Sequence, residues 1–306
     1  MPTLQQLRYL VAVAETLHFR RAAEMTHVTQ PTLSGQLREL EAKLGVQLVE
    51  RSRARVVLTP VGKAIAARAR TVLGDVQDIV ELAKHGQTMF GGTIRVGVLQ
   101  SLGPYLLPHI LPELHRSYPS LKLYVREGMP RALLDGLEQA SLDLLFFPLP
   151  VRGADLESVR LFREPLWVAV PGDHSLATAE HVAKSDLKGQ TVLTLEPGHR
   201  LHDQVRDLCQ EFGAELSLDY EGTSLDTLRQ MIALGMGLAF LPALYVRSEV
   251  LQDEQVVPLR MQPNAPSRTI GMVWRRHSAR RDEYIAFADL IRGILKRDVS
   301  DVTVME

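Results

Sequence analysis

The sequence predicts an α/β protein in three parts: an N-terminal all-α winged helix-turn-helix, one long linker helix and a two-lobed domain. Three observations carry this prediction. Residues 1–59 contain three short helical patterns followed by two β-like runs. Residues 60–86 form one helical pattern, with no proline between Pro60 and Pro104. From residue 93 onward, short apolar strands alternate with helices.

The composition indicates the class of protein and its cellular compartment. With 306 residues, of which 45% are hydrophobic and 23% charged, it is typical of a soluble protein with two or three domains. No apolar run approaches the roughly 20 residues of a membrane-spanning helix, and the N-terminus lacks the pattern of a signal peptide. We therefore expect a cytoplasmic protein with no membrane partner. A single cysteine, Cys209, excludes an internal disulfide.

The net charge of −1 conceals an asymmetry. Residues 1–88 carry 12 basic and 8 acidic side chains, whereas the remaining residues carry 23 and 28. A basic head on an acidic body predicts that only the head meets a polyanion, although a solvated surface would show the same balance.

Three short helices are predicted in the head. The first follows apolar residues at helical spacing, and the second runs from Phe19 to Met25. The third is capped by Thr29, tolerates Pro31 in its first turn and stops at Gly45. Its apolar stripe consists of Leu33, Leu37, Leu40 and Leu44.

The opposite face of the third helix carries small or polar residues. They are Pro31, Thr32, Ser34, Gly35 and Arg38. Such a face can approach a surface closely, as a recognition helix in a DNA major groove must.

A basic wing is predicted after the third helix. The β-like runs VQLVE and VVLT flank Arg51, Arg53 and Arg55, which would place arginines against phosphates or in a minor groove. Wing and helix together predict a winged helix-turn-helix that binds double-stranded DNA. The alternative is an ordinary three-helix unit with a solvated charged turn.

The linker helix is predicted from residue 60 to about 86, with Thr59 as its cap and Pro60 at its first position. Its apolar residues alternate spacings of four and three, as in a coiled coil. They are Ile65, Ala69, Val72, Val76, Ile79 and Ala83. This repeat predicts dimerisation through residues 60–87, and the alternative is a helix that packs on its own domain. Residues 87–92 would form a hinge.

The body, residues 93–306, is predicted to form two α/β lobes with a cleft between them. The first lobe covers about 93–163 plus 268–306, and the second about 164–267. Such a periplasmic-binding-protein-like arrangement suits a small-molecule ligand at the strand ends. The loop Gln100–Gly103 would offer free N–H groups to an anion, and Ser101 would bind a ligand or cap the next helix.

Other classes of protein fit the sequence less well than a DNA-binding head joined to a two-lobed domain. The sequence has no G-x-S-x-G elbow, Walker loop or H-E-x-x-H motif, so no enzyme and no cofactor is predicted. A solute receptor would share the two lobes but lack the head. His199 and His202 are three residues apart on a predicted helix, but without a third ligand they predict solvated surface rather than a metal site.

The stretch HFRRAAEMTHVTQPTLSGQLRELEAKLGVQLVER, followed by LTPVGK, closely resembles the DNA-binding domain of LysR-type transcriptional regulators. The resemblance implies dimers and tetramers on promoter DNA, and contact with RNA polymerase if the protein activates. It also implies that phosphates are held by Arg20, Arg21, Arg51 and Arg53. Residues facing bases and backbone would be Gln30, Pro31, Thr32, Ser34, Gln36 and Arg38.

Further stretches, including GPYLLPHILPELH and GHRLHDQ, resemble the OxyR branch of this family. That branch senses peroxide with a cysteine directly after Gly-His and a second cysteine nine residues later. Here the first position is Arg200 and the second is Cys209. A threonine that helps that branch bind peroxide corresponds to Pro130. The resemblance therefore implies an OxyR-like regulator without the disulfide switch.

Because Arg200 replaces the first cysteine, the roles of Cys209 and of Arg200 itself must be predicted from their surroundings. Cys209 adjoins an apolar stripe of Leu201, Val205, Leu208 and Phe212, which predicts a buried, inert thiol; single-thiol or intermolecular redox chemistry is the alternative. Arg200 itself predicts a small anionic effector, or a constitutive regulator if a carboxylate holds it permanently. The candidate effector site consists of Ser101, Leu102, Gly103, Met129, Pro130, Arg131, His199, Arg200, Thr223 and Ser224.

Overall fold

Apolar residues from three helices form the core of the head. These helices are α1 (Leu4–Thr16), α2 (Phe19–Met25) and α3 (Gln30–Leu44), and an antiparallel hairpin follows with β1 (Val49–Arg51) and β2 (Val56–Leu58). A computed structural model provides the coordinates and describes residues 1–51, 56–85 and 90–305. Leu10, Leu33 and Leu37 are fully buried. The predicted winged helix-turn-helix is confirmed.

The long helix α4 (Pro60–His85) belongs to the same compact unit as the head. Thr59 caps it, since the Gly62 N–H donates to Thr59 Oγ1 at 2.9 Å. Ala66 and Ala69 are buried, but farther along the helix Ile79 is 64% exposed. The helix thus packs near its start and presents apolar side chains later. The predicted hinge residues 87–89 lie outside the described residues.

The second unit contains the remaining elements. In chain order they are β3 (Gly92–Leu99), α5 (Gly103–Ser117), β4 (Leu121–Gly128), α6 (Pro130–Glu138), β5 (Leu144–Leu149), β6 (Leu156–Pro171), β7 (His181–Val182), a 3-10 turn (Lys184–Leu187), β8 (Thr191–Leu195), α7 (Arg200–Phe212), β9 (Glu215–Gly222), α8 (Leu225–Ala233), β10 (Leu238–Pro242), α9 (Ala243–Tyr245), a π-helical turn (Val246–Val250), β11 (Val256–Met261), β12 (Ser267–Arg275), α10 (Arg281–Asp298) and β13 (Thr303–Val304).

These strands form two sheets that share β6. The first sheet has the order β4-β3-β5-β12-β6, and the second runs β6-β10-β8-β9, with β11 also on β6. The N-terminal half of β6 pairs with β12, whereas the segment from Leu166 pairs with β10. Two α/β lobes therefore meet where β6 passes from one sheet to the other, beside the start of β12, and the predicted fold class is confirmed.

Candidate functional site

The recognition helix α3 is defined by its caps and its buried face. Thr29 Oγ1 accepts a hydrogen bond from the Thr32 N–H at 3.4 Å, and Gly45 ends the helix with a φ of 70°, a backbone conformation that suits glycine. Leu33, Leu37 and Leu40 are fully buried. The opposite face is therefore left to solvent.

That outer face is open at Gly35 and carries one cationic side chain, Arg38. Gln30, Pro31, Thr32 and Arg38 are exposed, and no atom lies within 4 Å of the position that a Cβ on Gly35 would occupy. Arg38 makes no ion pair within the described part of the chain. Ser34 is half-buried beside this face. A DNA groove could approach the backbone of α3 closely here.

Gln36 has a different environment from the one that the resemblance implied. Its Oε1 accepts from Gln6 Nε2 at 3.2 Å, and its own Nε2 donates to Glu39 Oε2 at 3.2 Å. Gln6 is 1% exposed and also accepts from Lys43 Nζ at 3.4 Å. One end of the Gln36 amide thus contacts α1 through Gln6, and the other end contacts Glu39 on α3 itself. Nothing in the local pattern around Gln6 indicated this role.

The structure describes only some of the arginines that were predicted to contact phosphates. Arg20 Nε pairs with Glu24 Oε1 at 3.2 Å, but both side chains are mostly exposed, so a phosphate could replace the carboxylate. Arg21 is exposed and has no ion pair within residues 1–51. Arg53 lies outside the described residues, as does the side chain of Arg51.

A buried polar network occupies the crossing between the lobes. Glu164 on β6 and Arg268 on β12 form an ion pair, with Nε and Oε2 2.7 Å apart. Arg268 also donates to Ser101 Oγ at 3.1 Å and to the Ser101 carbonyl at 2.9 Å, and the Leu244 N–H donates to Glu164 Oε1 at 2.9 Å. This pair was not predicted, because its two residues are 104 positions apart in sequence and β6 carries other charged residues besides Glu164.

Ser101 therefore has a structural partner. The alternative that Ser101 caps the following helix was wrong, because Leu102 is the residue before α5 and no side-chain cap is made. Leu102 is fully buried, and a Cβ on Gly103 would lie 3.1 Å from Glu127 Oε1. A carboxylate at this helix start disfavours the anion that we expected at residues 100–103.

His199 and His202 are buried, so the prediction of a solvated pair was wrong. His202 Nδ1 lies 2.8 Å from the Leu195 carbonyl. His199 precedes α7 and is 6% exposed. Its Nε2 has no hydrogen-bond partner among the described residues, although Glu196 Oε1 lies 3.8 Å away. Burial lowers the pKa of His199, while Glu196 opposes that effect. Within the described residues, no group of three or more potential ligands could hold a metal.

Arg200, the first residue of α7, points into a cavity of about 410 Å³. Its Nη2 donates to the Pro150 carbonyl at 3.0 Å. Arg131, Arg152 and Arg200 are all exposed, but only Arg152 and Arg200 line this cavity. The sequence had predicted that Arg131 belongs to the effector site together with Arg200. The helical turn that buries Pro130 turns Arg131 to solvent, and Arg152, which was not predicted, lines the cavity instead.

Other predicted effector residues lie around this site or serve the fold. Met129 Cε is 3.3 Å from where a Cβ on Gly198 would lie, and Pro130 lines the cavity, so both are close to the start of α7. Ser224 caps α8, because its Oγ accepts from the Thr227 N–H at 3.2 Å. Thr223 is exposed.

Cys209 lies on the buried face of α7. It is 3% exposed, and burial raises the pKa of its thiol to about 11. Leu208, which we expected in the apolar stripe, is only half-buried, and Cys209 takes its place in the core. Such a thiol is protonated at neutral pH and therefore a poor nucleophile.

A winged helix-turn-helix with an open recognition helix, in one chain with a two-lobed ligand-binding fold, defines a DNA-binding transcriptional regulator. Residues 4–63 match the model of the bacterial regulatory helix-turn-helix protein, lysR family, and residues 87–296 match the LysR substrate binding domain. The chain belongs to the LysR family of transcriptional regulators. None of its described helices is long and apolar enough to cross a membrane.

Relatives confirm the resemblance to the OxyR branch. The DNA-binding transcriptional dual regulator OxyR of Escherichia coli is 43% identical over 95% of both chains. The regulator EstR of Acinetobacter baylyi is 33% identical over 97% of both. A solved full-length OxyR variant from Pseudomonas aeruginosa is 38% identical with a TM-score of 0.79, covering 95% of this chain and 94% of that one. These relatives are regulators, not enzymes.

Proposed function

We propose that this chain is a promoter-binding regulator that responds to a small molecule in the lobe cleft, not to a peroxide-formed disulfide. One observation carries the proposal: the chain has a single cysteine, and this cysteine is buried with a raised pKa. An intramolecular disulfide needs two cysteines. Arg200 adds a cation at the cleft, which favours an anionic effector.

On the DNA side, α3 enters the major groove with Thr32, Arg38 and their neighbours toward the bases. Arginines of α2 and the wing, namely Arg20, Arg21, Arg51 and Arg53, hold phosphates. The protein acts in the cytoplasm as a dimer or tetramer, and the exposed apolar side chains of Ile79 and Val80 support dimerisation through α4. A dimer would read half-sites about 34–36 Å apart, or multiples of that distance. An activator would also contact RNA polymerase.

Several relatives are named as hydrogen peroxide-inducible genes activators, and a Corynebacterium glutamicum OxyR variant was solved with hydrogen peroxide bound. Peroxide sensing by oxidation of a cysteine needs a thiolate that is accessible. Cys209 meets neither condition. The constitutive alternative has no support either, because Arg200 bonds to a backbone carbonyl and pairs with no carboxylate among the described residues.

The effector part of the proposal is tested by footprinting the protein on its own upstream DNA, with and without peroxide under controlled reduction. Wild type and Cys209→Ser are compared. We expect the same footprint in all four samples, because the thiol takes no part. A footprint that changes with peroxide in wild type and not in the serine variant would overturn the proposal, since Cys209 would then sense oxidation.

The DNA-binding part is tested by titrating promoter DNA with Arg38→Ala, with Lys122→Ala, an exposed lysine of the second unit, as the matched control. We expect Arg38→Ala to weaken binding by about tenfold or more and Lys122→Ala to leave it unchanged. Equal affinity of all three proteins would contradict this placement of α3.

A further inference from the structure

The cavity at Arg200 contains two arginines without ionic partners. Arg200 gives one hydrogen bond to the Pro150 carbonyl, and its other N–H donors have no partner in the described ranges. Arg152 makes no hydrogen bond or ion pair with any described residue. The nearby Asp203 and Asp207 pair with Arg206 instead. Guanidinium groups stay charged at all physiological pH, so this cavity has an uncompensated positive charge.

The rest of the cavity wall is apolar. Its described lining comprises Pro130, Leu134, Phe147, Pro150 and Val151 besides the two arginines, and no hydroxyl, amide or carboxylate side chain among them. The volume of about 410 Å³ lies at the small end of the range for ligand pockets, roughly 300–1,000 Å³. A matching ligand therefore has one anionic group and a small apolar body.

The anionic group is better matched by a carboxylate than by a phosphate. A carboxylate has two oxygens, which the N–H groups of two guanidiniums satisfy. A phosphate or sugar acid would place further oxygens or hydroxyls against Leu134 and Val151, which offer them no side-chain hydrogen-bond partner.

We propose that this cavity binds a small monocarboxylate with an apolar, ring-sized body, held between Arg200 and Arg152 and packed on Leu134 and Val151. The inference rests on the proposed function, because it names the ligand class of the same cleft. A carboxylate is a stronger acceptor for Arg200 than the neutral Pro150 carbonyl. Arg200 belongs to the second lobe and Pro150 to the first, so their hydrogen bond joins the two lobes. A ligand that takes over Arg200 breaks this bond and thereby shifts the equilibrium between lobe arrangements.

The test is isothermal titration calorimetry on the full chain with benzoate and hexanoate. Acetate supplies the charge without the body, benzyl alcohol the body without the charge, and inorganic phosphate the competing anion. We expect benzoate or hexanoate to bind at least about tenfold more tightly than each of these. Arg200→Ala and Arg152→Ala should each weaken that binding by about tenfold or more. Arg131→Ala, which removes an exposed arginine outside the cavity lining, should not change it.

Three results would overturn the inference: no binding of either acid at millimolar concentration, benzyl alcohol or phosphate binding as tightly as the acids, or unchanged affinity in Arg200→Ala. Thermal unfolding of each variant confirms that it is folded. Titration of promoter DNA in the same samples keeps the two proposals distinct. A chain that binds promoter DNA but not the acids overturns this inference alone, whereas a chain that binds no promoter DNA overturns the proposed function.

Discussion

Arg268 Nε donates to Glu164 Oε2 at 2.7 Å, and this ion pair joins the start of β12 to β6 where β6 passes between the two lobes. Glu164 is fully buried and Arg268 is 5% exposed. Their remaining polar atoms are satisfied by Ser101 and by the Leu244 N–H. The pair therefore joins β6 and β12 to the loop before α5 and to the start of α9.

Removing either charge should destabilise the second unit strongly. We expect Glu164→Leu and Arg268→Met each to lower the free energy of unfolding by about 3–5 kcal/mol, because each leaves the other charge buried without a partner. The double variant should lose less than the sum of the two single losses, as urea unfolding would measure. Strictly additive losses would show that the two side chains do not interact.

Gly35 on α3 allows a prediction in which stability and binding change in opposite directions. Gly35→Ala should stabilise the head by about 1 kcal/mol, since alanine favours a helix interior and nothing lies within 4 Å of the new methyl group. The same methyl group should weaken promoter binding, because it stands on the face that approaches DNA.

Gly293→Ala is the matched control for this substitution. Gly293 is also an exposed helical glycine, and no atom lies within 4 Å of the place that an added methyl group would take, but it belongs to α10 of the second unit. It should gain similar stability by thermal unfolding and keep full promoter affinity by fluorescence anisotropy. If Gly35→Ala also keeps full affinity, this face of α3 does not approach DNA closely.

Local signals made some elements predictable. The expected limits of α3, Thr29 and Gly45, are its caps in the structure, and α4 starts at the predicted Pro60. The N-terminal half of β6 was missed, because its charged residues hide the alternation and its partner β12 lies about a hundred residues away in sequence. Strands whose stability depends on such distant pairing leave a weak local pattern.

The residues of the candidate functional site were also predictable only where the local sequence carried a signal. Arg200 stood out because it replaces an expected cysteine, and Cys209 because it is the single one. Arg152 carried no comparable signal, since its position beside Arg200 arises from the packing of one lobe against the other. Gln6 and Glu164 were missed for the same reason, as each finds its partner far along the chain.

The thiol of Cys209 should react slowly in the native protein. With a pKa of about 11 in place of the ordinary 9.0, its ionised fraction at pH 8 is about a hundredfold smaller, and burial slows access further. Alkylation with iodoacetamide, followed by mass spectrometry, should therefore be at least about a hundredfold slower in buffer than in denaturant. Equal rates would mean that Cys209 is accessible and ionised, which would restore single-thiol sensing as a candidate.

Protonation of His199 should make the second unit less stable in mild acid. Burial lowers the pKa of this imidazole from 6.5 in the native state, with Glu196 opposing and His202 adding to the shift. The unfolded chain therefore takes up a proton as the pH falls through 6.5, while native His199 stays neutral to a lower pH, so stability decreases in that direction. His109, whose pKa burial also lowers, contributes with the same sign.

Urea unfolding between about pH 7 and pH 5 measures this effect. We expect His199→Gln to lose less free energy of unfolding over this range than wild type, because the variant has no imidazole to protonate there. Part of the decline should remain, since His109 is still present. His181→Gln, which replaces an exposed histidine, is the control and should follow wild type. If His199→Gln loses as much stability as wild type, the acid sensitivity arises elsewhere, and His199 is not held neutral by its surroundings.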